Sequence, residues 1–166
     1  MARINSKNKG NAFERKIANT LSARFLERTG LEKAFIRNPD SGSYFGGKNE
    51  SRVDTHDMSK AVFGDLKTPP EFNFSIECKH YKEGPSFAML VKQDWKVLDG
   101  WLAQAGQDSI NSGKAFAIII KYNGVDEIVV VPPEASGGLK PFISYKGYPV
   151  VTMKDWLEQP DDHFFV

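Results

Sequence analysis

Gly64-Asp-Leu-Lys-Thr-Pro-Pro-Glu-Phe-Asn-Phe-Ser-Ile-Glu-Cys-Lys-His80 is the stretch on which the reading of this chain turns. In its second half Phe72, Phe74, Ile76 and Cys78 alternate with Asn73, Ser75, Glu77 and Lys79, the period of a strand with one apolar and one polar face. Two residues apart on such a strand, Glu77 and Lys79 emerge side by side. A hairpin through Pro69-Pro70 would return Asp65 beside them, so that two carboxylates and a lysine converge. Two carboxylates make a site for a hard divalent cation such as Mg2+, with Mn2+ as its natural substitute. A lysine next to that cation can orient or help deprotonate a water that attacks phosphorus.

The surroundings are those of an ordinary globular domain. The chain has 166 residues, 40% hydrophobic and 26% charged, enough for one domain, 1–166, with a sizeable core. No apolar run approaches membrane-spanning length and no signal-peptide pattern opens the chain, which reads as cytoplasmic and without a membrane partner. With Cys78 as its single cysteine the chain cannot build an internal disulfide or a cysteine-rich zinc site, so a metal would be held mainly by oxygens. The net charge of +1 hides an asymmetry: residues 1–60 carry 12 Lys and Arg against 7 Asp and Glu, net +5, and the remainder 10 against 14, net −4. A basic face for phosphates and acidic groups kept for a metal would give that division.

In chain order, residues 1–9 are polar and basic, a flexible arm. A helix is predicted from Asn11 to Arg28, with Phe13, Ile17, Leu21 and Phe25 four apart and Glu14 on the same side. That inward carboxylate reads in two ways. Asn11 and Glu14 match a capping box, or Glu14 points into the Asp65/Glu77 site. Residues 43–63, rich in Gly, Ser and charge, read as a mobile loop: either an inert insertion or a flap that closes over a DNA strand with Lys48 and Arg52 on its phosphates. A long helix is predicted from Ala88 to Ser109, its stripe of Val91, Trp95, Leu98, Leu102 and Ala105 facing the core, with Gln104 and Gln107 either solvated or turned to the site. Ala115 to Tyr122 is a buried strand, parallel to the first by a crossover. Asn123-Gly124 is a type I′ turn signal leading into Glu127 to Val131. A strand pair around Phe142 and Val150, a short helix capped by Thr152, and a tail, 159–166, complete the chain; the tail's apolar end would dock on the body or on a second subunit.

Asp65 followed a dozen residues later by Glu77-x-Lys79 resembles the signature of the PD-(D/E)xK nucleases, with Gly64 standing where that signature has proline. Lys9-Gly10-Asn11-Ala12-Phe13-Glu14-Arg15 is similar to the K-G-x-x-F-E-R opening of the archaeal-type Holliday junction resolvases, and Arg37-Asn38-Pro39-Asp40-Ser41-Gly42 to their R-x-P-x-S-G segment. The resemblance implies an α/β fold with a restriction-endonuclease-like core, a central mixed β-sheet flanked by helices. It implies Asp65, Glu77 and Lys79 as catalytic with Glu14 as their supporting catalytic carboxylate, Asp65, Glu77 and Cys78 as the metal-holding positions, and Arg15, Arg37 and Ser41 as phosphate contacts or site organisers; with Lys9 and the loop residues Lys48 and Arg52 these make up the expected DNA-binding set. The activity implied is a homodimeric, Mg2+-dependent nuclease that resolves four-way DNA junctions by paired nicks leaving 5′ phosphates. A sequence-specific restriction-type endonuclease, or a non-catalytic DNA-binding recombination protein, would share the fold. Trp101, Phe164 and Phe165 are the apolar groups expected either at a dimer interface or in the core.

Overall fold

The computed structural model describes residues 6–39 and 63–166. Helix α1 runs Ser6–Arg24 and buries the expected stripe, Phe13, Ile17, Ala18 and Leu21. It starts earlier than the sequence indicated. Ser6 to Lys9 are helical and so do not belong to a flexible arm, and Asn11 lies well inside the helix, where no capping box can form. One contact that holds these first turns down is Lys9 Nζ, which donates to Asn123 Oδ1 at 3.1 Å. At the other end Arg24 donates to the carbonyls of Leu157 and Gln159 at 2.8 and 3.0 Å and pairs with Asp161 at 2.8 Å. A short helix α2, Leu26–Thr29, follows and is closed by Gly30 at φ 67°.

Strands β1 (Ile36–Arg37) and β2 (Leu66–Lys67) pair antiparallel in a small sheet of their own. The main sheet has five strands: β3 (Phe74–Tyr81), β4 (Ala115–Tyr122), β5 (Ile128–Val130), β6 (Ile143–Tyr145) and β7 (Tyr148–Thr152), in the spatial order β3-β4-β5-β7-β6. β3 and β4 run parallel in unbroken register from Phe74↔Ala115 to Tyr81↔Tyr122, and the other neighbours are antiparallel. This mixed sheet flanked by helices is the restriction-endonuclease-like architecture that the resemblance implied.

Two apolar layers sandwich the sheet. On one side Phe74, Ile76, Ala117 and Ile119 meet α1; on the other Phe116, Ile118, Ile120 and Tyr122 meet the long helix α4, Lys96–Ser112. The expected single helix from Ala88 is two helices, α3 (Phe87–Val91) and α4. Gln93 breaks it at φ 54°, its amide donating to the carbonyls of Leu90 and Ser144 at 2.8 and 3.2 Å, and Val91 is exposed rather than in the core stripe.

The turns redistribute as well. Asn123 does not take positive φ, and a five-residue connection joins β4 to β5, so the expected type I′ turn is absent there. Lys146 (φ 48°) and Gly147 (φ 85°) form such a turn between β6 and β7 instead. Thr152 caps α5 (Met153–Leu157) as expected, its Oγ1 accepting from Asp155 N at 3.0 Å.

The C-terminal tail packs on its own chain. In and after α6, Asp161–Phe164, Phe164 is fully buried and Phe165 is 5% exposed, with Phe164 against Phe25 and Trp156 at ring separations of 4.8 and 5.1 Å. Phe165 bridges Phe72 in antiparallel register. Both rings are therefore core residues and unavailable to a dimer interface. Trp101 is partly buried against Tyr81, 5.2 Å between rings.

Candidate active site

β3 is the outermost strand of the main sheet, and the site forms along its free edge. The chain reaches that edge differently from the hairpin that the sequence suggested. Gly64 bridges Ile76 in parallel, and the residues that a hairpin would have folded onto β3, Leu66–Lys67, pair with β1 instead. Asp65 is clamped on three sides: its N–H donates to Ile76 O at 2.7 Å, its carbonyl accepts from Asn38 N at 2.8 Å, and its Oδ2 accepts from Cys78 N at 2.8 Å. Gly64 explains the departure from proline. Its φ is 85°, opposite in sign to the angle a proline ring imposes, and a Cβ there would lie 2.5 Å from Ile76 O.

Glu77 and Lys79 project from β3 toward α4, since their partners Ile118 and Ile120 lie in the α4-side layer. Glu77 is 5% exposed, and Lys79 Nζ donates to its Oε2 at 3.1 Å. Burial first, then the Asp65 charge, raise the Glu77 carboxyl to about 7 against the opposing pull of Lys79. Glu14 enters from α1. Burial and Asp65 raise its carboxyl too, while Arg37 and Lys79 oppose the rise.

Arg37 organises the site, one of the two roles expected for it. Its Nε donates to Glu14 Oε2 at 2.5 Å and its Nη2 to Asn11 Oδ1 at 2.8 Å, so these donors are spent on holding the Glu14 side of the site. Cys78 contributes main chain: burial pushes its thiol well up, and a neutral sulfur is a poor ligand for a hard cation. Lys9 lies beside the site at the start of α1, and Arg15 is exposed on the same helix. Ser41, Lys48 and Arg52, with nearly all of the loop 43–63, lie outside the described residues; Phe63, at its end, is buried.

One acidic group at the site was missed. Asp108 on α4 is half-buried, and its carboxyl is raised by burial and by Asp65, with Lys79 pulling the other way. It extends the buried row Leu98, Leu102 and Ala105 by three residues, which is the signal that could have found it. Gln104 and Gln107 are exposed, Gln107 bonding Asn111 at 3.2 Å, and do not face the site.

A family model described as "Phage putative PDDEXK endonuclease" matches residues 5–159, nearly the whole chain. The chain belongs to this PD-(D/E)xK endonuclease family. Neither a curated protein nor a solved structure matches it. Membership makes the chain a nuclease with DNA as its substrate; it supports the superfamily and does not single out the archaeal-type junction resolvases. PD-(D/E)xK nucleases typically use divalent metals such as Mg2+, and the donor set here fits one. Asp65 raises the carboxyls of Glu14, Glu77 and Asp108, and Lys79 pulls each of them the other way. Among the described residues no three His, Cys, Asp or Glu side chains cluster closely enough to cage an ion, so a cation would be held by one or two carboxylates and its own waters, as Mg2+ accepts. Also among the described residues, no helix is long and apolar enough to cross a membrane.

These shifts set a pH dependence for the metal-free endonuclease. The folded-state carboxyl of Glu77 is raised above its ordinary 4.5, so its proton stabilises the fold. That contribution is complete below about pH 4.5 and is lost as pH rises through about 7; Glu14 and Asp108 act in the same direction. Thermal melts in EDTA should give a lower Tm at about pH 8 than at about pH 5.5, Glu77→Gln should remove much of the difference, and Mg2+ should raise the Tm at the higher pH. Identical pH profiles for wild type and Glu77→Gln would contradict the burial of an ionisable carboxylate there.

Proposed function

We propose that this endonuclease is a Mg2+-dependent endodeoxyribonuclease acting on branched DNA, four-way junctions foremost, with Asp65, Glu77 and Lys79 as its catalytic residues. The observation that carries the chemistry is the clamp on Asp65, which fixes one carboxylate at the β3 edge beside Glu77 and Lys79. Asp65, Glu77 and the Cys78 main chain would hold the cation. When bound, Mg2+ supplies positive charge to the scissile phosphate and lowers the pKa of its water.

The remaining work falls to side chains. Lys79, held by Glu77 at 3.1 Å, presents an ammonium that orients the attacking water and stabilises charge building on the phosphate. Asp65 keeps its aim because its carbonyl, its N–H and one carboxylate oxygen are all bonded. Glu14, steadied by Arg37, would accept hydrogen bonds from water at the site. In-line attack displaces the 3′ oxygen and leaves a 5′ phosphate.

The preference for branched DNA rests on the Lys9–Arg15 and Arg37–Gly42 segments, whose likeness to junction resolvases extends past the catalytic signature. A two-fold dimer would supply the two sites that paired nicks require. The restriction-type reading has its own support: Phe164 and Phe165, two of the three groups weighed between a dimer interface and the core, belong to the core. Incubating labelled four-way junction, linear duplex and single strand with the protein and Mg2+ decides between them on a denaturing gel. The expected result is junction cleavage at least about tenfold faster than linear duplex at equal enzyme, a difference of about 1.4 kcal/mol in barrier. Equal or faster cutting of linear duplex at a fixed sequence establishes the restriction-type reading instead.

A further inference from the structure

Beside the carboxylates lies a groove of about 1230 Å³ that the catalytic chemistry does not use. It runs from Cys78 and Lys79 on β3 to Lys7 and Lys9 at the start of α1, and Lys16, Lys82 and Lys121 also line it. With Lys79 turned toward α4 and paired with Glu77, five lysines share this lining with a single carboxylate, Glu127, and Lys82 pairs with the exposed Glu83 next to it at 3.6 Å. Glu127 is already committed: Lys16 pairs with it, and Lys121 lies 3.9 Å away.

The fold places these lysines in an order. Lys9 and Lys16 are seven residues apart on α1, two turns or about 10 Å along its axis. Lys121 stands in register with His80 on the neighbouring strand, and Lys82 follows the end of β3. Between the ammonium groups the walls are Phe13 and Ala12 on one side and the His80 ring, 5.3 Å from that of Phe13, on the other. Positive charge repeated along a trough with an aromatic face fits a polyanion that also carries flat rings. The volume is far beyond that of a single phosphate, and the trough begins at Cys78, whose N–H holds Asp65.

We propose that this groove is the track of the DNA strand leading away from the scissile phosphate, with Lys7, Lys9, Lys16, Lys82 and Lys121 on successive backbone phosphates. The inference rests on the nuclease reading of the Asp65 site and adds where the flanking nucleotides lie. It also places the main phosphate-binding surface on lysines of the N-terminal helix and of the middle of the chain, while Arg37 serves Glu14.

The test is binding of a fluorescein-labelled duplex across a salt series in EDTA, where no cutting occurs, read by anisotropy. Two paired variants are compared with wild type: Lys7→Gln with Lys82→Gln, and Lys16→Gln with Lys121→Gln. Lys154→Gln, at an exposed lysine of α5 outside the groove, is the control. Each pair should flatten the slope of log affinity against log salt by about 1.8, the duplex value for two lost phosphate contacts, while the control leaves it unchanged. With Mg2+ present, the pairs should raise KM about tenfold and leave kcat within about twofold, the pattern of lost uniform binding. Should the Lys16/Lys121 pair lower the melting temperature by disturbing Glu127, the Lys7/Lys82 pair decides alone.

Wild-type slopes in the groove variants, or an equal change in Lys154→Gln, overturn the track. Asp65→Asn separates this from the catalytic reading. If it abolishes cleavage while the groove variants bind normally, the site stands and the track falls. If it cuts normally while the groove variants lose their slope, the track stands and the site falls.

Discussion

Asp65→Asn, Glu77→Gln and Lys79→Ala are each expected to reduce Mg2+-dependent cleavage by about 10²–10⁴-fold, the range for loss of a positioned charge or proton-handling group, with little change in DNA affinity. The three are not equivalent in stability. Asn at 65 can still accept the Cys78 N–H through its side-chain carbonyl, so the β3 edge keeps its geometry. Gln at 77 replaces a buried carboxyl whose ionisation the fold opposes, so this variant should melt at a higher temperature than wild type near neutral pH while losing activity. Lys79→Ala leaves Glu77 without the ammonium at 3.1 Å and should melt lower. Activity lost with stability gained in Glu77→Gln is the signature of a group kept for chemistry. Loss of activity together with loss of fold in all three would make the cluster a structural ion pair.

The second large effect concerns the C-terminus. Phe164 is fully buried and in ring contact with Phe25, Phe72, Phe74 and Trp156. Phe164→Ala is therefore expected to destabilise the protein by about 3–5 kcal/mol, the cost of emptying a Phe-sized volume that a close-packed core cannot refill. Phe165→Ala removes the ring that packs on Phe25 and Phe72 at 5.2 and 5.3 Å and should approach that range. Denaturant midpoints measured at several protein concentrations check this. A loss independent of concentration fits a core role, whereas one that appears only on dilution would return these rings to an interface between subunits.

The sequence made the elements next to the site legible because their periodicities are strict. In sequence β3 alternates from Phe72 to Lys79, α1 carries an apolar residue every fourth position, and β4 is apolar on both faces, so both strands were read close to their ends and α1 was recognised as a helix but placed a turn too late. Asp65, Glu77 and Lys79 followed from residue type and spacing. What failed depended on contacts distant in sequence. The break at Gln93 was invisible because the apolar stripe continues across it, and the positive φ is supported by Ser144, some fifty residues away. Lys146-Gly147 carries a turn that Asn123-Gly124 advertised more strongly, since Asn123 is instead engaged by Lys9 and by the Lys82 carbonyl. Arg37, expected as a phosphate contact or a site organiser, holds Glu14 and Asn11, a pairing across more than twenty residues that residue type alone could not specify. Asp108 needed the phase of α4 over three turns, which the apolar residues alone marked only as far as Ala105.

Cleavage itself is the most direct measurement of the central assignment. A 5′-labelled DNA substrate is incubated with wild-type protein and Mg2+, with EDTA, and with Asp65→Asn plus Mg2+, and each product is then offered to DNA ligase. The expected result is internal cutting in the first reaction alone, at nicks that ligase reseals because they carry 5′ phosphate and 3′ hydroxyl ends. Cutting that persists in EDTA or in Asp65→Asn, or nicks that ligase cannot reseal, would contradict a Mg2+-dependent nuclease centred on Asp65, Glu77 and Lys79.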